Sequence, residues 1–289
     1  MQKGQIEQID VIIDHYKELY GLNEPGYVQY LKYMWNTFRF EFGQSFAHYP
    51  TPVATMIRSA LPWTLGLGIV TTLIIFLLGN TLGAFFGWER TPRVIKTILP
   101  ANLIFTSVPP VLSSLFLLSI FANHLGWFPL AGAYSNTVDP GWNWPFIKSV
   151  IEHGALPVMS ILIVNMGWTI LGMRSMVITT AGEDYVRLAE AKGLNPFYTL
   201  YRYRVRNALL PQLTSLALSM GGLISGQVLV EMIFSYPGMG MLLFRAIREQ
   251  DFPVIQAISF MIILITAISV LIIDLLYPLI DPRISREGE

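Results

Sequence analysis

The feature that most constrains this chain is a run of 28 residues without a charged side chain, Leu61 to Trp88. At a rise of about 1.5 Å per residue, roughly 20 apolar residues suffice to cross the hydrocarbon core of a bilayer. A helix on the surface of a soluble domain is not so uniformly apolar, because one of its faces meets water. The run therefore predicts a transmembrane helix.

Four further blocks poor in charge each predict one more span: Val94–Ala122, Ala155–Thr180, Leu209–Phe234 and Val254–Leu279. The composition agrees, since 13% of the residues are charged, compared with roughly 25% in an ordinary soluble domain. We therefore expect an all-α, polytopic membrane protein with about five transmembrane helices.

The N-terminal 60 residues predict amphipathic helices rather than spans. Apolar and aromatic residues recur every three or four positions over residues 5–20 and again from Tyr27 to Phe38. Their Tyr and Trp side chains suit the boundary between membrane and water. We divide the chain into an external amphipathic helical segment (1–60), a transmembrane domain (61–284) that contains a polar loop at 182–211, and a tail (285–289).

The distribution of basic residues predicts the orientation. Eleven Lys or Arg residues lie around residues 89–96, in residues 174–206 and in the tail, whereas eight are spread over the longer opposite segments. By the positive-inside rule, residues 174–206 and the C-terminus lie in the cytoplasm and residues 1–60 lie outside. An external N-terminus with no span before it favours a missing first transmembrane helix, and translocation without such a helix is the alternative.

The polar loop predicts two short helices. Glu183 and Asp184 suit the positive end of a helix dipole, and Gly193 is typical of a residue just past a helix end. Asn195 and Pro196 then suit the cap and the first turn of a second helix. That second helix carries the aromatic and basic run Tyr198, Tyr201, Arg202, Arg204 and Arg206.

Two interpretations of this loop differ in function. A solvated loop that only anchors the topology is one. The other is a docking surface for another subunit, because the small residues Ala189, Ala191 and Gly193 would let a partner approach closely. The helical character of the loop favours docking, since a simple connector need not be helical.

The pattern Y-V-R-x-A-x-A-K-G-L begins at Tyr185, and the proline of N-A-L-L-P follows eighteen residues after its glycine. This pattern resembles the cytoplasmic loop of binding-protein-dependent ABC importer permeases, most closely in their dipeptide and oligopeptide branch. The broader superfamily prefers a Glu where Arg187 stands. Residues 21–46, 234–257 and the closing LLYPLIDPRI are similar to other parts of the same family, so the resemblance extends from about Gly21 to Ile284.

The resemblance implies a permease subunit whose loop forms coupling helices against an ATPase. Its partners would be a sibling permease subunit, two ATPase subunits that hold ATP and Mg, and an external solute-binding protein in the bacterial or archaeal plasma membrane. The solute would be a peptide, with oligosaccharides and nickel chelates as alternatives. The resemblance assigns ATPase coupling to Glu183, Asp184, Tyr185, Arg187, Ala189, Ala191, Lys192 and Gly193.

Polar residues within the spans are candidates for the translocation path. Pro109-Pro110 must break the second predicted span, and broken helices are tolerated where they line a cavity. Each candidate could instead make a structural hydrogen bond. The candidates are Thr106, Ser107, Ser113, Ser114, Asn165, Thr169, Ser219, Ser225 and Gln227.

Three glycines, Gly79, Gly83 and Gly87, share one face of the first predicted span. Small faces let helix backbones approach closely in lipid, and packing within the chain is favoured over a subunit interface. Glu231 would be costly in hydrocarbon, so it should lie at the outer boundary or pair with Arg245 or Arg248.

Several functions lack their residues in this sequence. It has no cysteine, no phosphate-binding G-x-x-x-x-G-K-[ST], no G-x-S-x-G or H-E-x-x-H motif and no histidine pair with metal-ligand spacing. We therefore expect no enzyme activity, metal or cofactor on this chain, and its zero net charge gives no sign of nucleic-acid binding. A secondary transporter or channel driven by an ion gradient, or a membrane scaffold without transport, is the alternative class.

Overall fold

In the computed structural model, which describes residues 24–97, 100 and 104–280, the named elements are all helices. For residues 217–226, 273–274 and 276–280 it describes the backbone alone. The helices are α1 (Gly26–Phe38), α2 (Val53–Gly87), α3 (Arg93–Lys96), α4 (Pro110–Leu117), α5 (Trp144–Ala181), α6 (Asp184–Ala191), α7 (Pro196–Thr199), α8 (Arg206–Ile233), α9 (Met239–Glu249) and α10 (Phe252–Ile280). Leu118–His124 continues α4 as a π-helix, and Leu200–Val205 likewise joins α7 to α8.

Among the described residues, α2, α5 and α10 as far as Ile272 are long and apolar enough to cross a bilayer. The span predicted from residue 209 corresponds to α8, a helix of 28 residues. The break predicted at Pro109-Pro110 is confirmed, because α4 begins at Pro110 with Pro109 as its N-cap. The block 94–122 is therefore not one helix, since proline lacks the N–H that a continuous ladder needs.

Helix α1 confirms the amphipathic helix predicted at Tyr27–Phe38. Its last residue, Phe38, packs edge-on against Phe260 of α10, with ring centroids 6.1 Å apart. Phe42, in the segment that follows α1, contacts the same ring at 6.1 Å. These contacts attach α1 to the N-terminal part of α10. The helix predicted over residues 5–20 lies outside the described residues.

Helices α2 and α5 meet through the glycine face of α2. A Cβ atom at Gly79 would lie 2.8 Å from the Cβ of Thr169, and one at Gly83 would lie 2.6 Å from the carbonyl oxygen of Ile170. Gly87 makes a similar approach to α5. Real Cβ atoms do not come so close, so the two backbones touch only because these side chains are missing. The packing within the chain that the sequence favoured is confirmed.

The buried apolar residues gather at both ends of this helix pair. At one end, Trp63 and Leu67 of α2 pack with Leu156 of α5 and with Val230 and Phe234 at the end of α8. At the other end, buried residues of α2 and α5 enclose the segment that leads into α8. This second cluster contains Ala84, Met173, Val177, Leu200, Val205 and Ala208. The polar loop is therefore seated directly on the ends of α2 and α5.

The helix contact can be tested by one substitution made at two glycines of α2. Gly83→Ala places a methyl group against the backbone of α5 and should destabilise the fold by about 1–3 kcal/mol. Gly66→Ala meets open space and should be neutral or stabilise by up to about 1 kcal/mol, because Ala favours helix more than Gly does. Thermal unfolding of the detergent-purified protein measures both. Equal melting temperatures for the two variants would contradict the close contact.

Candidate functional site

Helix α6 is the first half of the polar loop, and it has a buried side and an exposed side. Val186 and Ala189 are buried, at 0% and 3% exposure, whereas Leu188 is 56% exposed. From the sequence, the small side chain of Ala189 was expected to let a partner subunit approach closely. The structure corrects this, since Ala189 packs inside the chain and a partner would meet its neighbours. Those exposed neighbours are Glu183, Asp184, Tyr185, Arg187, Leu188, Ala191, Lys192 and Gly193.

The predicted end of the first loop helix and the predicted start of the second are confirmed, whereas the second is not a separate short helix, because α7 continues through the π-helix Leu200–Val205 into α8. Gly193 has a φ of +71°, and its N–H donates to the Glu190 carbonyl while the N–H of Leu194 donates to the Ala189 carbonyl. These two bonds form a Schellman motif, which requires the left-handed backbone that glycine adopts easily. Helix α7 then begins at Pro196, and the Asn195 side chain accepts from the Phe197 N–H at 2.9 Å.

A buried arginine joins the loop to two other segments. Arg204 is 5% exposed, and its guanidinium donates to both carboxylate oxygens of Glu89 at 2.9 and 2.8 Å. Its other terminal nitrogen donates to Glu190 at 2.8 Å. Glu89 follows the end of α2, and Glu190 lies on the last turn of α6. Charge-assisted bonds of this kind offset the cost of burying a guanidinium.

Sequence analysis did not single out this ion-pair network, although a signal was present. In the run Tyr201 to Arg206, arginine occupies every second position. Residues two apart on a helix point in different directions, so the middle arginine, Arg204, faces away from Arg202 and Arg206. The sequence does not show which arginine faces the interior or which acid it meets there. The partner Glu89 is 115 positions away in the chain.

Contacts between aromatic rings also hold the polar loop against the end of α2. The ring of Phe197 on α7 contacts Trp88, the residue after α2, edge-on at 6.3 Å and stacks on Tyr201 at 6.1 Å. The two cytoplasmic-side connections predicted from the sequence, around residue 89 and at 182–211, are thereby packed into one surface.

At the opposite end of the bundle, Glu231 holds the beginning of α9. Its side chain is 0% exposed, and its carboxylate accepts from the Gly240 N–H at 2.7 Å. The Met239 N–H donates to the Thr64 hydroxyl of α2 at 2.7 Å. A Cβ atom at Gly240 would lie 2.5 Å from the Cα of Val228, which explains the second glycine of P-G-M-G. The network therefore ties the ends of α2 and α8 to α9.

The expected pairing of Glu231 with Arg245 or Arg248 is not present among the described residues. Glu231 instead lies in the last turn of α8, where the N-terminal N–H groups of α9 face it. Unbonded N–H groups at a helix start carry partial positive charge and satisfy a carboxylate without a cation. Glu231 thus lies near a helix end, and its position at the outer membrane boundary stays a prediction.

Two more buried groups shape this end. Asp251, 1% exposed, accepts from the Ser45 hydroxyl and from the backbone N–H groups of Phe46 and Ala47. It thereby holds the segment before α2 against the start of α10, a role that sequence analysis missed. Tyr236 lies in the turn after α8, where burial and then the nearby Glu231 carboxylate raise the pKa of its phenol to about 12. Tyr236 is therefore uncharged at physiological pH.

The described candidates for the translocation path lie in different surroundings. Ser113 and Ser114 of α4 are buried, and the Ser114 hydroxyl donates to the Pro110 carbonyl at 2.8 Å. Gln227 is 1% exposed and lies against Gly68, and neither atom of its amide group has a hydrogen-bond partner among the described residues. Thr106 is half-buried and Ser107 is exposed. The side chains of Ser219 and Ser225 lie outside the described residues.

Among the described candidates, Asn165 and Thr169 line a cavity. The cavity has a volume of about 390 Å³ and lies between α2, α5 and α8. Asn165 stands near the middle of α5, and its amide donates to the Ile161 carbonyl at 2.9 Å. Three further polar residues of the cavity, Thr72, Gln212 and Ser215, were not candidates from the sequence. The polar lining consists of Thr72, Asn165, Thr169, Gln212 and Ser215.

The described residues contain no group of three or more His, Cys, Asp or Glu side chains arranged to hold a metal ion. The charged groups of this arrangement join helices to one another at both ends of the bundle. A displacement of one helix can therefore be transmitted to another.

Comparisons with known proteins give similarity over nearly the whole chain. The family described as "binding-protein-dependent transport system inner membrane component" matches residues 79–286. An oligopeptide transport system permease protein of Bacillus subtilis (strain 168) is 33% identical, with 98% of this chain and 88% of the relative covered. A probable D,D-dipeptide transport system permease protein of Escherichia coli (strain K12) is 30% identical, with 96% and 86% covered. An oligopeptide transport system permease protein of Haemophilus influenzae is 31% identical, with 92% and 82% covered.

The Arg204 network can be tested by removing its charge. Arg204→Gln leaves Glu89 and Glu190 without their partner, so the loop should open more often and limited proteolysis within residues 182–206 should become about tenfold faster. Arg90→Gln removes an exposed charge beside Glu89 and should leave the cleavage rate unchanged. Equal cleavage rates for Arg204→Gln and the unmodified protein would contradict the role given to this ion pair.

Proposed function

This chain belongs to the family of binding-protein-dependent transport system inner membrane components, and we propose that its loop 182–211 couples it to an ATPase. The chain is a transport permease of the peptide importer type. In the proposed assembly it pairs with a sibling permease, two ATPase subunits hold ATP and Mg on the cytoplasmic side, and an external binding protein delivers the solute.

The observation that carries the coupling proposal is the Arg204 network. An ATPase that pushes on α6 pushes on Glu190, which Arg204 joins to Glu89 at the end of α2. Arg204 itself lies in the π-helix that continues directly into α8. A displacement of α6 therefore reaches two membrane helices through charge-assisted bonds, which resist separation because the guanidinium is buried.

Helix α8 would carry this displacement to the other side of the membrane. Its 28 residues span about 42 Å at a rise of about 1.5 Å per residue. Its outer end holds α9 through the bond between Glu231 and Gly240. We infer that ATP binding and hydrolysis on the partner subunits rock α2 and α8 together, so that α9 alternately closes and opens the outer side.

The cavity at Asn165 supports a path along α5 and α8. Asn165 and Ser215 are exposed, and an exposed amide near the middle of a membrane helix is costly against lipid. A sibling subunit or water on this face removes that cost. We therefore assign this face to the interior of the assembled transporter, with Asn165, Thr169, Gln212 and Ser215 as the polar wall.

Peptides are the solute class that we propose. The relatives described above are named as oligopeptide and dipeptide permeases, and weakly polar side chains such as Asn and Ser suit the passage of a peptide backbone without holding it tightly. Oligosaccharides and nickel chelates, the alternatives from the sequence, are distinguished by uptake assays with the cognate binding protein.

Docking of the ATPase is tested at Leu188, the exposed apolar residue of α6. Leu188→Asp should lower the amount of ATPase that copurifies with the permease at least about tenfold. The substitution places a charge where the proposed complex would bury an apolar side chain. The control is Leu130→Asp, a residue of similar exposure in the connection between α4 and α5. Full recovery of ATPase with Leu188→Asp would place the docking surface elsewhere.

The path is tested at Asn165. Asn165→Leu should reduce solute uptake severalfold while ATPase copurification stays normal, since the change removes a polar group of the proposed wall without touching the loop. Thr81→Val is the control, because Thr81 is exposed on α2 outside the cavity and bonds its own helix backbone in the same way as Asn165. Unchanged uptake with Asn165→Leu would remove this face from the path.

A further inference from the structure

Three arginines stand at the point where the polar loop enters the membrane helix α8, and they have two different environments. Arg204 is buried and bonded to two acids. Arg202 and Arg206, two positions before and after it, are exposed. Residues four apart share one side of a helix, so these two guanidinium groups project from the same face.

Neither of the two exposed arginines has a carboxylate within 4.0 Å among the described residues. Like charges four apart on a helix destabilise it, and an anion placed between them removes the repulsion. Glu89 and Glu190, the acids that the neighbouring Arg204 contacts, are both bound to it. Among the described residues no carboxylate pairs with Arg202 or Arg206, so the two positive charges can bind an anion from outside the chain.

The two arginines line a cavity with the features of an anion site. Its volume is about 480 Å³. Its lining also includes Tyr203 and Asn207, whose side chains carry hydrogen-bond donors, and the apolar Leu210. Guanidinium groups bind phosphate oxygens in paired, planar geometry, which a lysine pair would not reproduce. Two arginines, a phenol and an amide thus form a donor set that fits a phosphate group.

The position of the cavity along α8 identifies the source of the phosphate. After Arg206, the next charged residue in the chain is Glu231. Glu231 is 25 residues further along the chain than Arg206, which corresponds to about 37 Å of helix, slightly more than the hydrocarbon core of about 30 Å. Arg202 and Arg206 therefore lie at headgroup depth, and Leu210, one turn further along the helix, lies at the start of the acyl-chain region.

We propose that Arg202 and Arg206 bind the phosphate of an anionic phospholipid, with Tyr203 and Asn207 beside the headgroup and Leu210 against an acyl chain. The site goes beyond the proposed function and takes from it only the orientation, which assigns the lipid to the cytoplasmic leaflet. Basic pockets beside membrane helices on that side attract anionic headgroups. The site lies next to the Arg204 network, so a bound lipid would brace the base of α8.

A binding measurement on the purified, assembled transporter tests this site. Native mass spectrometry counts phosphatidylglycerol and phosphatidylcholine of matched acyl chains on the complex. The double variant Arg202→Gln with Arg206→Gln should bind phosphatidylglycerol about thirtyfold more weakly than the unmodified protein, with phosphatidylcholine binding unchanged. The control is Arg245→Gln with Arg248→Gln, which removes two exposed charges of α9 and should keep the tight phosphatidylglycerol site.

Three results would overturn the proposal. Equal phosphatidylglycerol binding by the double variant and the unmodified protein removes the site. Displacement of the lipid by millimolar inorganic phosphate identifies a site for small anions instead. Loss of ATPase subunits from the double variant, with unchanged lipid binding, identifies a contact between proteins. Lipid is counted on the complex whether or not α6 is the docking helix, so failure of the docking proposal leaves this test intact.

Discussion

The buried guanidinium of Arg204 needs its hydrogen bonds to carboxylates, and this requirement holds together the segments at the end of the protein that carries the polar loop. Arg204 is removed from water and satisfied by three bonds to Glu89 and Glu190, so separating it from either acid would leave a charge poorly solvated. The end of α2, the end of α6 and the segment leading into α8 therefore stay together. In the coupling that we propose, the force of ATP hydrolysis would enter at this loop and would leave through the membrane helices that the joint holds together.

The other end of the bundle uses carboxylates in place of a guanidinium. Glu231 bonds to the N-terminal turn of α9, and Asp251 bonds to the backbone just before α2. Both acids are buried and accept hydrogen bonds from N–H or hydroxyl donors, and among the described residues neither forms an ion pair. Between the two ends, α2 and α5 touch through glycines. The chain thus has polar joints at both ends and a closely packed apolar middle.

Part of this arrangement could be predicted because its causes are local. The boundary at Gly193 follows from a left-handed residue, the start of α7 from Asn195 and Pro196, and the break before α4 from two prolines. Contacts between distant segments could not be predicted in the same way. The sequence shows that the side chain of Ala189 is small but not which way it points, and in the structure it faces the interior. Likewise, Asn165 and Ser215 became neighbours in one cavity only through the packing of α5 against α8.

The sequence by itself determined that this chain is a helical membrane permease with a polar helical loop between two of its apolar blocks. Long apolar blocks cannot remain in water, and the loop pattern is a contiguous string that needs no partner to be recognised. The tertiary structure alone decided which charges are joined and which are free. Arg202, Arg204 and Arg206 are the same residue type within five positions, yet only the middle one meets Glu89, because burial is set by segments that fold together from far apart in the chain.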